Sequence, residues 1–139
     1  MAKVIISGVI IISLNASSIS SLNIQQTPEH LFISPEQRKA NLSCRHGDTN
    51  YNYMYWYQQK AAGDHIQLIG MLQYGAVTPE EKFKSRFNIS GHAKADAFLL
   101  ISSVTPEDSA VYFCAARSLH EICDRRIQEL QKKEFLILN

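Results

Sequence analysis

Three cysteines and five histidines are the side chains here that can form a covalent cross-link or hold a metal, and their spacing separates the two chemistries. Cys44-x-His46 and His120-x-x-Cys123 together offer four soft ligands, a set suited to tetrahedral zinc. Cys44 and Cys114 offer something else: two thiols 70 positions apart, with Trp56 between them and Asp108-Ser109-Ala110-Val111-Tyr112-Phe113-Cys114 closing the interval. That pattern specifies a sandwich of two sheets. One cysteine from each sheet meets in the core, an indole fills the volume beside the sulfurs, and a tyrosine two residues before the second cysteine locks the corner where its strand begins. Zinc would require Cys44 to abandon Cys114. The histidines His30, His46, His65, His92 and His120 are scattered, with no nucleophile elbow, phosphate loop or helix-borne metal pair. The chain therefore reads as no enzyme, with no catalytic residue, metal or cofactor.

The elements that must hold these residues follow from size, compartment and pattern. A chain of 139 residues has room for one core. Its 14 basic and 13 acidic residues leave a net charge of +1, too weak a field to recruit nucleic acid or an anionic membrane. Met1-Ala2-Lys3, an apolar run from Val4 to Leu14 and small residues Ala16, Ser17, Ser18 and Ser20 read as a secretory signal peptide over residues 1–20. The competing reading, a first buried strand, would need a strand of unusual length. Export brings an oxidising compartment, in which Cys44 and Cys114 are expected to pair; closing a loop of that length contributes about 4 kcal/mol by the chain-entropy estimate.

Short segments rich in Val, Ile, Leu, Tyr and Phe alternate with Gly, Pro, Asp and Asn clusters, which is all-β punctuation. Strands are expected near Asn23–Thr27, Leu31–Ser34, Arg38–Arg45, Tyr53–Gln59, Ile66–Leu72, Ser85–Ser90, Ala97–Ser102 and Ala110–Arg117. Because neighbours alternate faces, an inward Cys44 brings Leu42 and Ala40 inward, an inward Cys114 brings Tyr112 and Ala110, and an inward Trp56 brings Met54 and Gln58. Leu99 and Ile101 join this core, with Val104, Phe87 and Ile89 beside them. The same parity turns Tyr53, Tyr55, Tyr57, Gln59 and Phe113 outward. That aromatic face either docks a partner or is covered by a loop or the tail. Arg86 and Asp108 flank turns at one end and are expected to form an ion pair. Asn41-Leu42-Ser43 and Asn88-Ile89-Ser90 are glycosylation sequons whose asparagines parity places outward.

Several motifs in this chain resemble the immunoglobulin V-set domain, and more narrowly the variable domain of a T-cell receptor β chain of a fish-like type. They are Leu42-Ser43-Cys44, Met54-Tyr55-Trp56-Tyr57-Gln58-Gln59-Lys60, Leu68-Ile69-Gly70, Glu81 to Phe87, Leu99 to Val104 and Pro106 to Arg117. The resemblance runs from about Ile24 to Arg117. It implies an all-β Greek-key sandwich over residues 21–117, in which Cys44 and Cys114 are the inter-sheet bridge, Trp56 its packing partner, Tyr112 the corner tyrosine and Arg86–Asp108 the family's ion pair. It implies that Tyr57, Gln59 and Phe113, with Tyr55 beside them, face the α-chain variable domain of a heterodimer. By the same resemblance, three loops would touch a peptide held by a histocompatibility molecule: His46 to Asn52, with His46, Asp48, Asn50 and Tyr51; Gln73 to Pro79, with Gln73 and Tyr74; and the residues after Cys114, with Ala115 and Arg117. The implied setting is the extracellular face of the plasma membrane, with signalling through constant and membrane regions that this sequence lacks. A non-rearranging adhesion or innate V-set receptor is the alternative.

The pattern breaks after Arg117. A V domain continues into a last strand carrying Phe-Gly-x-Gly, and nothing in residues 118–139 matches it. The final strand is therefore expected to be missing or replaced by this tail, leaving the sheet open at that edge. Leu119, Ile122, Ile127 and Leu130 stand at helical spacing, so the tail reads as a short helix or as disordered sequence translated beyond an unrearranged variable segment. Cys123 is either a free thiol or half of an intermolecular bridge.

Overall fold

Strict alternation of burial along the strands at 39–46, 51–59 and 96–102 shows how the sheets assemble. In a computed structural model, the described residues are 22–118 together with the strand over 131–138, for which the backbone alone is described. The strands are β1 (Ile24–Thr27), β2 (His30–Phe32), β3 (Lys39–His46), β4 (Tyr51–Gln59), β5 (Gln67–Gln73), β6 (Ala76–Pro79), β7 (Phe87–Gly91), β8 (Asp96–Ser102), β9 (Ala110–Ser118) and β10 (Gln131–Leu138), with a 3-10 turn at Pro106–Asp108 before β9. They form a four-stranded sheet in the order β1-β3-β8-β7 and a six-stranded sheet in the order β2-β10-β9-β4-β5-β6. The chain changes sheet between β1 and β2 at Pro28, whose missing N–H cannot extend a ladder.

The two inner faces meet as parity requires. Ala40, Leu42 and Cys44 from β3 and Ala97, Leu99 and Ile101 from β8 pack against Met54 and Trp56 from β4, Ile69 and Leu72 from β5, and Ala110, Tyr112 and Cys114 from β9, all buried. Cys44 and Cys114 are joined through a disulfide between the sheets, their Cα atoms 6.4 Å apart. Trp56 stands opposite Cys114 on the adjacent strand, so the indole lies beside the sulfurs. The fold is thus the all-β, two-sheet sandwich that the cysteine and tryptophan spacing specifies.

Two strands depart from the sequence reading. β6 was not expected as a strand; its four residues are all exposed, so no buried face marks them, and the segment is extended because β5 supplies a ladder. At the other edge, residues 131–138 occupy the place of the final strand. They pair antiparallel with β9, Gln131 opposite Ala116 through Ile137 opposite Ala110, and parallel with β2, Leu136 to Leu138 opposite His30 to Phe32. Here the tail replaces the final strand, and the edge of β9 is not open: its free N–H and C=O groups accept any extended partner, whether or not that partner carries Phe-Gly-x-Gly. Neither helix nor disorder describes residues 131–138, whereas the helical spacing of Leu119 to Leu130, Cys123, His120 and the segment read as a signal peptide lie outside the described residues.

Candidate functional site

The corner at the lower end of the sandwich, where β4 runs into β5 and the 3-10 turn leads to β9, is held by ions. Arg86 Nη1 and Nη2 each donate to a carboxylate oxygen of Asp108 at 2.8 Å. The Asp108 carboxylate is 3% exposed and also accepts the Thr105 N–H at 2.9 Å. Burial alone would raise its pKa; the Arg86 guanidinium and the Thr105 amide outweigh burial and hold it below the ordinary carboxylate value. Tyr112 completes the corner. Its hydroxyl donates to the Asp108 carbonyl at 2.9 Å and accepts from Gln58 Nε2 at 3.0 Å, and burial pushes the phenol far above its usual pKa. A cleft of about 340 Å³ opens beside this corner, but its cations are engaged: Lys60 with the Glu107 carbonyl, Lys82 with Gln67, Arg86 with Asp108. No group of three or more potential metal ligands occurs among the described residues.

The opposite end carries the loops between β3 and β4, β5 and β6, and β7 and β8. His46 was expected to contact a ligand, but it is 2% exposed. Its Nε2 lies 2.5 Å from the Ala93 carbonyl and its Nδ1 accepts the Asp48 N–H at 3.2 Å, which makes it a neutral imidazole with Nε2 protonated. Burial lowers its pKa, against the raising effect of the Ala93 carbonyl and of Asp48. The Ala93 N–H in turn donates to the Tyr74 carbonyl at 2.7 Å, and Tyr74 N–H to the Asn52 carbonyl at 2.8 Å. Three loops are therefore joined through Ala93, which is itself fully buried.

Other loop expectations are also corrected. Residues 73–79 are not one loop: the chain turns at Tyr74-Gly75 and returns as β6, with Tyr74 at φ 53° and 39% exposed. Gln73 donates to the Tyr53 hydroxyl at 3.1 Å. Ala115 and Arg117 lie within β9, which runs on to Ser118; Ala115 is buried and Arg117 half-buried. Tyr51 begins β4, half-buried with its ring 5.7 Å from that of His46. The side chains this end presents are those of Asp48, Thr49, Asn50 and Tyr74, together with His92 and Lys94 of the β7–β8 turn. Asn50 N–H donates to Asp48 Oδ1 at 2.9 Å, and Lys94 lies over the Tyr74 ring at 5.2 Å. The strands expected at Ser85–Ser90 and Ala97–Ser102 bracket the β7–β8 turn, but the sequence reading did not count it with the contacting loops; Gly91, at φ 93° and with no room for a Cβ against the Asp96 carbonyl, is its local signal.

The outer face of the six-stranded sheet is the third candidate surface. Tyr55 and Tyr57 are half-buried and stacked, ring centroids 6.2 Å apart, and burial followed by the neighbouring Tyr55 raises the Tyr57 pKa, keeping a hydroxyl there that can donate. Gln59 Nε2 donates to the Asp64 carbonyl at 2.9 Å. Phe113 departs from expectation: at 3% exposure it is no part of an open face. β9 is an interior strand here, with Tyr57 of β4 opposite Phe113 on one side and β10 on the other. Gln26 of β1 was also missed; its side chain accepts the Cys114 N–H at 3.0 Å and reaches the Tyr112 carbonyl at 3.4 Å, tying the two sheets by hydrogen bonds next to the disulfide. The sequon residues Asn41 and Asn88 are exposed on the outer face of the four-stranded sheet. No helix among the described residues is long and apolar enough to cross a membrane.

These features match known proteins. Residues 26–129 match the model of the immunoglobulin V-set domain. Human T cell receptor alpha variable 35 is 28% identical over 108 residues, covering 78% of this chain and 94% of the relative. Human T cell receptor beta variable 4-2 is 32% identical over 93 residues, covering 67% and 79%, and mouse T-cell receptor alpha chain V region 2B4 is 34% identical over 97 residues, covering 69% of each. Among solved structures, a chain described under "Structural basis of T cell specificity and activation by the bacterial superantigen toxic shock syndrome toxin-1" superposes with a TM-score of 0.67 at 22% identity, over 85% of this chain and all of that one, which is a likeness of fold. The V-set is a non-catalytic recognition fold, and α and β receptor domains are matched alike. With its disulfide, buried tryptophan and corner tyrosine in place, this chain belongs to the immunoglobulin V-set family, as a relative of the T-cell receptor variable domains.

Proposed function

We propose that this domain is the antigen-recognition variable domain of a T-cell receptor chain of the β type, acting at the extracellular face of the plasma membrane. It pairs with an α-chain variable domain and touches a peptide–histocompatibility complex through its loop end, and signals through constant and membrane regions attached to it. The carrying observation is the stacked, half-buried Tyr55–Tyr57 pair on the outer face of the six-stranded sheet, with Gln59 on the same strand. Rigid tyrosines supply large contact area at low entropic cost, and a hydroxyl that stays protonated can hydrogen-bond across an interface. The loop end supports the second half of the reading. Asp48, Asn50 and Tyr74 combine an aromatic ring with polar groups on turns already tied together through Ala93, so little ordering is left to be done on contact.

Co-secretion with an α-type variable domain, followed by analytical ultracentrifugation, tests the pairing. A heterodimer is expected, and Tyr57→Ala is expected to weaken it by about 30-fold, the effect of losing about 2 kcal/mol at a hot spot. A wild-type chain that stays monomeric beside every such domain removes the pairing claim.

One observation favours a second reading, a self-contained V-set adhesion or innate receptor. Residues 131–138 close the β9 edge without a joining-segment motif. Sequencing transcripts through the codons for Tyr112 to Arg117 separates the two: joined Phe-Gly-x-Gly segments support the antigen receptor, and an uninterrupted message through residue 139 supports the alternative.

A further inference from the structure

The outer face of the four-stranded sheet is polar except for one strip. Phe98 and Leu100 of β8 are half-exposed there, while their neighbours Ala97, Leu99 and Ile101 are buried on the inner face. The strands on either side of β8 carry the two sequons, in matching register. Asn41 of β3 and Asn88 of β7 both stand opposite Leu100, one on each side. Ser43 and Ser90, the hydroxyl positions of those sequons, both stand opposite Phe98. Two motifs 47 residues apart in the chain are thereby brought into one row across three strands, about 10 Å from end to end at ordinary strand spacing. Both asparagines are exposed.

We propose that Asn41 and Asn88 are both N-glycosylated and that the two glycans roof the Phe98–Leu100 strip, closing this face to protein partners. The proposal rests on the secretory reading of residues 1–20 and deepens the sidedness of the proposed function, since it leaves the tyrosine face and the loop end as the docking surfaces. In the transfer, the sugar C1–O bond to a lipid-diphosphate-linked oligosaccharide donor breaks and a C1–Nδ2 bond to asparagine forms. The amide proton leaves with the lipid diphosphate. The acceptor must be extended and unpaired when this happens, and a chain still emerging from synthesis meets that condition before β3 and β7 join β8. The folded state then has only to supply room. It does so on both sides: β7 is an edge strand of its sheet, and Asn41 points to solvent from β3. The apolar C–H face of the first sugar suits the ring of Phe98, and the hydroxyl-rich outer face replaces an apolar strip with a hydrated one.

The test is secretion of the full chain from a eukaryotic host, release of glycans with peptide N-glycosidase F in 18O-water, and peptide mapping. Labelled aspartate is expected at both 41 and 88. Asn41→Gln and Ser43→Ala should each remove one glycan step on a gel, as should Asn88→Gln and Ser90→Ala; the serine variants guard against a folding defect peculiar to glutamine. Enzymatic deglycosylation of the native chain should raise binding of a hydrophobic dye, and Phe98→Thr should abolish that rise. Unlabelled asparagine at either position in material whose Cys44–Cys114 bridge is intact overturns the proposal while leaving the secretory reading standing. Absence of both the label and the bridge overturns the secretory reading itself. Full labelling with no change in dye binding on deglycosylation overturns the roofing role.

Discussion

At the lower end of the sandwich Arg86 and Asp108 meet as full charges, whereas at the loop end the corresponding job of tying turns from different strands falls to a neutral imidazole and backbone amides. The first tie is bidentate, and its carboxylate has almost no contact with water. The second passes from Asp48 through His46 to Ala93 and on to Tyr74. The difference shows how one small domain divides its stability. Charged hydrogen bonds are strong and costly to break, so they hold the lower end firmly; neutral ones set loop positions at lower cost and leave the loop end the easier to loosen.

The comparison breaks most clearly at Arg86. Arg86→Ala strands a buried carboxylate, and urea denaturation should report a loss of about 3 kcal/mol, the low end of the range for a severed buried pair because the guanidinium is 38% exposed. Arg86→Lys should recover only part of this, since an ammonium cannot donate in parallel to both oxygens. Tyr112→Phe removes a hydroxyl satisfied on both sides and leaves Gln58 Nε2 and the Asp108 carbonyl without it, for a loss of about 2 kcal/mol by the same measurement. At the loop end, His46→Leu frees the Ala93 carbonyl and the Asp48 amide. The expected cost is about 1 kcal/mol, and faster hydrogen exchange at Asp48 should reveal it locally. A global loss equal to that of Arg86→Ala would erase the contrast between the ends.

The smallest effect is the one with acid. The folded pKa of His46 lies below its unfolded value of 6.5, so its contribution is fully present above that pH. As pH falls below 6.5 the unfolded chain takes up a proton that the folded imidazole resists, and stability declines until the folded pKa is passed. Asp108 behaves in the same direction lower down: its contribution is present above the ordinary carboxylate value of 3.8 and is lost as pH falls through the depressed folded value. Denaturation midpoints between pH 7 and 5 should therefore fall more in wild type than in His46→Leu, and the two should decline together below about pH 4. Parallel curves between pH 7 and 5 would remove His46 from the account.

The fold was largely legible because alternation along β3, β4 and β8 is strict and the disulfide picks the inner face for these strands and for β9, where Tyr112 to Ala116 are buried on both faces. Arg86 and Asp108 were legible as a pair because their positions flank turns at one end. The recognition surfaces were less so. His46 has the composition of a loop ligand and the position of a buried strand end, and composition carries no information about the Ala93 carbonyl 47 residues away. Phe113 follows the parity of an outward residue yet is covered, because parity names a face and leaves its covering to neighbouring strands. The alternation of residues carried the strand through Ala115 to Arg117, one residue short of its end, and only the resemblance set these two in a loop; β9 continues there because its partner, β4, continues to pair.

What the sequence by itself determined is the two-layer architecture: a thiol pair, an indole and a two-residue rhythm are local or pairwise signals that survive without coordinates. Tertiary structure alone decided which strand fills the edge beside β9, that three loops share one buried alanine, and that two distant sequons stand in a single row. Each of these depends on backbone groups, and every residue but proline carries the same ones, so side-chain pattern alone cannot say which of them will meet.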